Sequence, residues 1–149
     1  MILSNERINY YNEDPKSVRI FTTNSFVKKD RSLVMGRGNA KEISSIYPEL
    51  PKKLGKVIDH LGEYYYLEYE IEQGKFAAFQ VKYHWFDEAD LGLIQKSTDL
   101  LKYQARLNIC CLTYHLPFPG IGNGKLSRED VLPILEELPS NVVVHELRT

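Results

Sequence analysis

Two glycine-rich stretches, Met35-Gly36-Arg37-Gly38-Asn39-Ala40 and Pro119-Gly120-Ile121-Gly122-Asn123-Gly124-Lys125, each stand between a run that reads as a strand and one that reads as a helix. The first follows Arg19-Ile20-Phe21-Thr22-Thr23-Asn24 and a short polar excursion. The second follows Asn108-Ile109-Cys110-Cys111-Leu112-Thr113-Tyr114 and precedes Ser127-Arg128-Glu129-Asp130. Glycine takes positive φ at no steric cost and lets a ligand approach without meeting a Cβ. The unpaired N–H groups at a helix start carry partial positive charge, which suits phosphate. Two such loops in a small chain predict a diphosphate held from both sides.

The rest of the chain alternates in the same way. Val18 to Asn24 reads as a strand and Ala40 to Ile46 as a short helix, stopped at Tyr47-Pro48 because a residue before proline avoids the α region. Leu54, Val57, Ile58 and Leu61 recur at helical spacing, with Gly62 as an end signal. Tyr64 to Ile71, a turn at Gln73-Gly74 and Phe76 to Val81 make the clearest hairpin. Asp87 is a candidate cap for a helix from Glu88 to Arg106, whose Leu91, Ile94, Leu101 and Ala105 share a face. Asn108 to Tyr114 reads as a central strand covered on both sides, with Cys110 and Cys111 buried in it as small hydrophobes. Ser127 to Leu138 opens like a capping box, but Pro133 suits only a first turn, which favours Asp130 as the cap. Asn141 to His145 reads as a last buried strand. A mixed sheet with helices on both faces accounts for this order, and in such sheets ligands sit beyond the carboxyl ends of the strands.

The 149 residues suit one domain with a core of its own. A net charge of -1 gives no reason to expect nucleic acid as a partner, and the clusters Lys28-Lys29-Asp30-Arg31 and Lys52-Lys53 read as solvated surface. No apolar run approaches the roughly 20 residues that span a bilayer, and no signal peptide is apparent. A cytoplasmic protein with no membrane partner is expected. The only cysteines are adjacent, which fits a reducing compartment. No spacing argues for a metal site, and nothing calls for a cofactor.

Neither loop fits the P-loop pattern, and the first contains only part of the Rossmann fingerprint. Together they resemble the macrodomain family, which binds ADP-ribose and related nucleotides. Thr22-Thr23-Asn24 is similar to that family's Asn-Ala-Ala-Asn strand end. Gly36-Arg37-Gly38-Asn39-Ala40 resembles its first glycine loop, and Pro119-Gly120-Ile121-Gly122-Asn123-Gly124 its second, which wraps the diphosphate and distal ribose. The likeness runs from Arg19 to Leu147. It implies a three-layer α/β/α sandwich with a central mixed sheet. It further implies ligand contacts from Thr23, Asn24, Gly36, Arg37, Gly38, Asn39, Gly120, Ile121, Gly122, Asn123 and Gly124. The family's Gly-Asp-Ile/Val motif, whose aspartate reads the adenine amino group, is absent. The corresponding stretch is Tyr11-Asn12-Glu13-Asp14-Pro15, where Glu13 or Asp14 is the substitute. The short first loop looks like a divergent branch, closer in style to ADP-ribose-1''-phosphate phosphatases and deacylating macrodomains than to plain readers.

The resemblance thus implies binding of an ADP-ribose-type nucleotide and hydrolysis of a derivative such as the 1''-phosphate. A non-catalytic sensing module and an interaction domain without ligand are the alternatives. For catalysis the candidates are Asn24, whose amide suits ribose hydroxyls, and Lys125, which suits charge on a phosphate. A turn asparagine and a surface lysine are their plain readings, and Asn123 between two glycines also suits left-handed backbone. Lys82-Tyr83-His84-Trp85-Phe86 leaves a strand near the same edge, where an aromatic would stack on a base unless it is core. His84 and His115 are candidate acids or bases, with no third residue in view to orient either. Asp87, Glu88 and Asp90 read most simply as helix-start charges.

Overall fold

In the computed structural model, which describes residues 1–11, 14–61 and 63–146, strands and helices alternate along the chain. The strands are β1 (Ile2–Ser4), β2 (Ser17–Thr23), β3 (Tyr66–Ile71), β4 (Gly74–Gln80), β5 (Thr113–Pro117) and β6 (Val142–His145). The helices are α1 (Asn39–Ile46), α2 (Leu50–Leu61), α3 (Leu91–Leu107) and α4 (Arg128–Leu135). All six strands share one sheet in the order β1-β6-β5-β2-β4-β3. Every pairing is parallel except the β3–β4 hairpin.

The period-two alternation of side chains sorts the apolar residues into two cores. Val18 and Ile20 of β2 and Ala77 and Phe79 of β4 pack with Ile94, Leu101, Val131 and Leu135 of α3 and α4. Phe21 of β2 and Phe76 and Ala78 of β4 pack with Ile43, Leu50, Leu54 and Ile58 of α1 and α2. The result is a three-layer α/β/α sandwich around a mixed sheet, as the sequence predicts.

Four local expectations change. Asn108 to Cys111 form a turn, and the strand begins only at Thr113. Cys110 and Cys111 are consequently exposed. The reason is the α3 C-terminus: Asn108 caps it with N–H donating to Ala105 O, and the N–H groups of Cys111 and Leu112 turn back to Asn108 O. Asp90, not Asp87, caps α3, its side chain accepting from Leu93 N at 2.9 Å. The Asp90 N–H is fixed to Val81 O, while Asp87 Oδ2 accepts from His84 N in the preceding turn. Ser127, not Asp130, caps α4, its Oγ accepting from Asp130 N, and Pro133 stands inside the helix. Finally, the sequence pattern marks no strand before Val18, yet β1 pairs with β6, Ile2 opposite Val143. Gly62 and Glu13 lie outside the described residues.

Candidate functional site

Because β2, β4 and β5 run parallel, their carboxyl ends meet at one edge, where a cleft of ≈ 580 Å³ opens. That size suits a small-molecule ligand. Thr22, Thr23 and Asn24 form its floor at the end of β2, and both glycine loops form its walls. The two loops approach closely: a Cβ on Gly38 would stand 3.8 Å from Asn123 Nδ2.

The first loop delivers the start of α1. Gly36 and Gly38 take φ of 59° and 70°, and Gly38 caps the helix with no side-chain hydrogen bond. The first amides of α1 are therefore not capped by a side chain, the condition for receiving an anion. Asn39 Oδ1 accepts from Thr22 N at 3.1 Å, tying α1 to the end of β2. In the second loop Gly120 and Gly122 take φ of 80° and 67°, and Gly122 opens a single 3₁₀ turn that ends at Gly124. Arg37 is exposed on the cleft, as is Lys125, which has left-handed φ of 62°.

Asn24 is 2% exposed, with its amide engaged within its own loop. Its Nδ2 donates to Val34 O at 3.0 Å and its Oδ1 accepts from Phe26 N at 2.8 Å. Buried Tyr64 donates its hydroxyl to Asn24 O. Lys82, at the end of β4, lines the cleft with its Nζ donating to Asp87 O. Burial, aided by Arg37, lowers the proton affinity of Lys82, against the opposing pull of Asp87. Gln80 holds the segment in place: its Oε1 accepts from Tyr64 N and Tyr65 N while its Nε2 donates to Lys82 O. In the sequence Lys82 is marked only as the start of the aromatic cluster. Its signal was its place at a parallel strand's carboxyl end.

The aromatic cluster is at the rim, not in the core. Trp85 and Phe86 line the cleft and are 53% and 67% exposed. His84 stacks on Phe86 and contacts Phe26. Asp87 and Glu88 also line the cleft, bringing acid beside Arg37 and Lys82.

Two candidates fall elsewhere. Asp14 precedes β2, at the strand end opposite the cleft, and its Oδ2 accepts from Ser17 Oγ. It therefore does not read a base in the cleft. His115 lies within β5, its Nδ1 2.9 Å from His145 Nε2, and His145 Nδ1 lies 2.9 Å from Glu6 O. A carbonyl only accepts, so His145 carries its proton on Nδ1; neutral His145 then accepts at Nε2 from His115 Nδ1–H. His145 lines a second cavity of ≈ 300 Å³ with Glu6, Arg7, Ile8 and Glu42. This cavity shares Gly38 and Asn39 with the main cleft, so the first loop separates two adjoining spaces. Glu6 and Arg7 had no local signal in the sequence. The basic clusters lie side by side: Gly55 of α2 packs against the Arg31 carbonyl, Leu33 N–H just beyond donates to Pro51 O, and Lys28 and Lys52 both act on Asp30.

Several solved structures share this architecture. The macrodomain of DarG from Thermus aquaticus superposes with a TM-score of 0.76 over 97% of this chain and 98% of that one, at 21% identity. The macrodomain of DarG from Mycobacterium tuberculosis gives 0.74 over 97% of each chain, also at 21% identity. The chain has the macrodomain fold. DarTG from Thermosipho africanus, solved in complex with ADP-ribose, matches with a TM-score of 0.73 at 17% identity, over 89% of this chain and 38% of that one. No family model and no curated protein matches the sequence. At 21% identity most of the sequence differs from these two structures although the fold is shared. No helix among the described residues is long and apolar enough to cross a membrane.

Proposed function

We propose that the chain is a single cytoplasmic macrodomain-like unit that binds ADP-ribose or a related nucleotide in the cleft between its glycine loops. The observation that carries this reading is the open space at Gly36 and Gly122. Both have positive φ, and a Cβ on either would meet nothing within 4 Å. Packing does not exclude a side chain at these two positions; a ligand lying against the backbone would. Diphosphate then faces the loop amides and the start of α1, with Arg37 and Lys125 supplying charge. The second cavity, entered past Gly38 and Asn39, has room for the base, and its Glu6 carboxylate offers an acceptor that the missing Gly-Asp-Ile motif does not. The ADP-ribose complex of DarTG, a protein of the same fold, supports the ligand class.

Within this reading the chain hydrolyses an ADP-ribose derivative such as the 1''-phosphate. Preorganised loop amides stabilise the developing charge, and Lys82, its proton affinity reduced inside the cleft, is better placed than exposed Lys125 to act on the reacting group. A second reading, a non-catalytic sensing module, is favoured by Asn24, whose amide already serves Val34 and Phe26.

Calorimetry with ADP-ribose, beside turnover of ADP-ribose-1''-phosphate, tests both. Gly122→Val is expected to abolish binding while the chain stays folded, since left-handed backbone at a branched residue costs about 1–3 kcal/mol. Unchanged affinity in the folded variant makes the second loop a mere connection. Binding without turnover selects the sensing module.

A further inference from the structure

Cys110 and Cys111 stand apart from the cleft, in the turn that enters β5 at its amino-terminal end. Both are exposed. The backbone around them is clamped. The N–H groups of Cys111 and Leu112 donate to Asn108 O, each at 3.0 Å. The Asn108 side chain donates to Gln104 O and contacts the Tyr114 hydroxyl. From β6's approach, Asn141 Nδ2 reaches Ala105 O, Asn108 O and Leu112 O at 2.9, 3.4 and 3.1 Å. Two amide side chains therefore hold the turn on either side of the thiols while leaving the thiols in solvent.

Adjacent Cα atoms stand about 3.8 Å apart across a trans peptide, inside the roughly 4.4 Å lower bound of ordinary disulfides. A bond between the two sulfurs is strained, and the pair rests as a dithiol. Thiolates are soft donors that select soft acceptors. We propose that Cys110 and Cys111 form a vicinal dithiol site that chelates a trivalent arsenical. Each thiol gives up its proton, two As–S bonds replace the As=O bond of an arsenoxide, and one water leaves. Arsenic stays trivalent throughout, so no oxidant or reductant takes part. Once the first As–S bond forms, the clamped turn keeps the second thiol at high effective concentration. Exposed Leu107 and Ile109 precede the pair and offer apolar contact to an aryl substituent.

Phenylarsine oxide added to the full chain in the absence of other thiols provides the test, read by intact mass and by titration of free thiols. One arsenic per chain is expected, with loss of both titratable thiols together. The adduct is expected to survive excess 2-mercaptoethanol and to be released by a dithiol. Cys110→Ser and Cys111→Ser, both at exposed positions, are each expected to lose the monothiol-resistant adduct. A wild-type adduct shed to 2-mercaptoethanol, or a resistant adduct retained by either folded single variant, overturns the site.

Discussion

Glycine does two kinds of work in the second loop. A Cβ on Gly120 would stand 2.6 Å from Ile94 Cδ1, and one on Gly124 would stand 2.9 Å from Ala89 Cβ. Those two glycines seat the loop on the start of α3, whereas Gly122 faces open space. Both kinds look identical in sequence, because what separates them is a neighbour some thirty residues away. Asn24 shows the same limit. Its position at a strand end was legible, but its partners belong to a loop whose course no local pattern states. Asn24→Ala removes a donor to Val34 O and an acceptor for Phe26 N–H, leaving both backbone groups without that partner. A loss of about 1–3 kcal/mol is expected. Thermal denaturation measures it directly, and an unchanged midpoint would show that the loop does not depend on this amide.

At the scale of elements, an apolar stripe makes a helix legible in the sequence, but its boundary is ambiguous where two caps compete. Asp87 and Asp90 both carry the right chemistry. The choice is made by the bond from Asp90 N–H to Val81 O, which anchors the helix start to β4's exit. The run Ile109-Cys110-Cys111-Leu112 has a strand's composition, yet the preceding helix and two asparagines hold most of it in a turn. Asn141 is the more distant of these, and its single amide nitrogen serves three carbonyls of the α3–β5 connection. Asn141→Ala is therefore expected to destabilise the chain by about 1–3 kcal/mol. Urea unfolding gives the value. A variant as stable as wild type would mean that water replaces the clamp without cost.

For the whole molecule, the alternation of strands and helices sufficed to predict three layers and a common edge for the glycine loops. β1 was invisible because three residues carry no pattern; only β6 makes them a strand. The second cavity was invisible for the same reason, since Glu6 and His145 meet from opposite ends of the described chain. The His115–His145 contact between β5 and β6 has a further consequence in proton binding. Burial holds both imidazoles below their ordinary value near 6.5. The positive neighbour Arg19 reinforces this at His115, Asp14 opposes it, and Glu6 opposes it at His145. Below pH 6.5 the unfolded chain takes up protons that the folded one refuses. Stability is then full above that pH and drains away as the solution is acidified through the folded values. The thermal midpoint is expected to be flat from pH 8 to about 6.5 and to fall below it, with a shallower fall in His145→Gln. An equal acid slope in that variant would assign the uptake to other groups. Acid thus bears on the seam between the fifth and sixth strands, at a hydrogen bond that two added protons would turn into a repulsion.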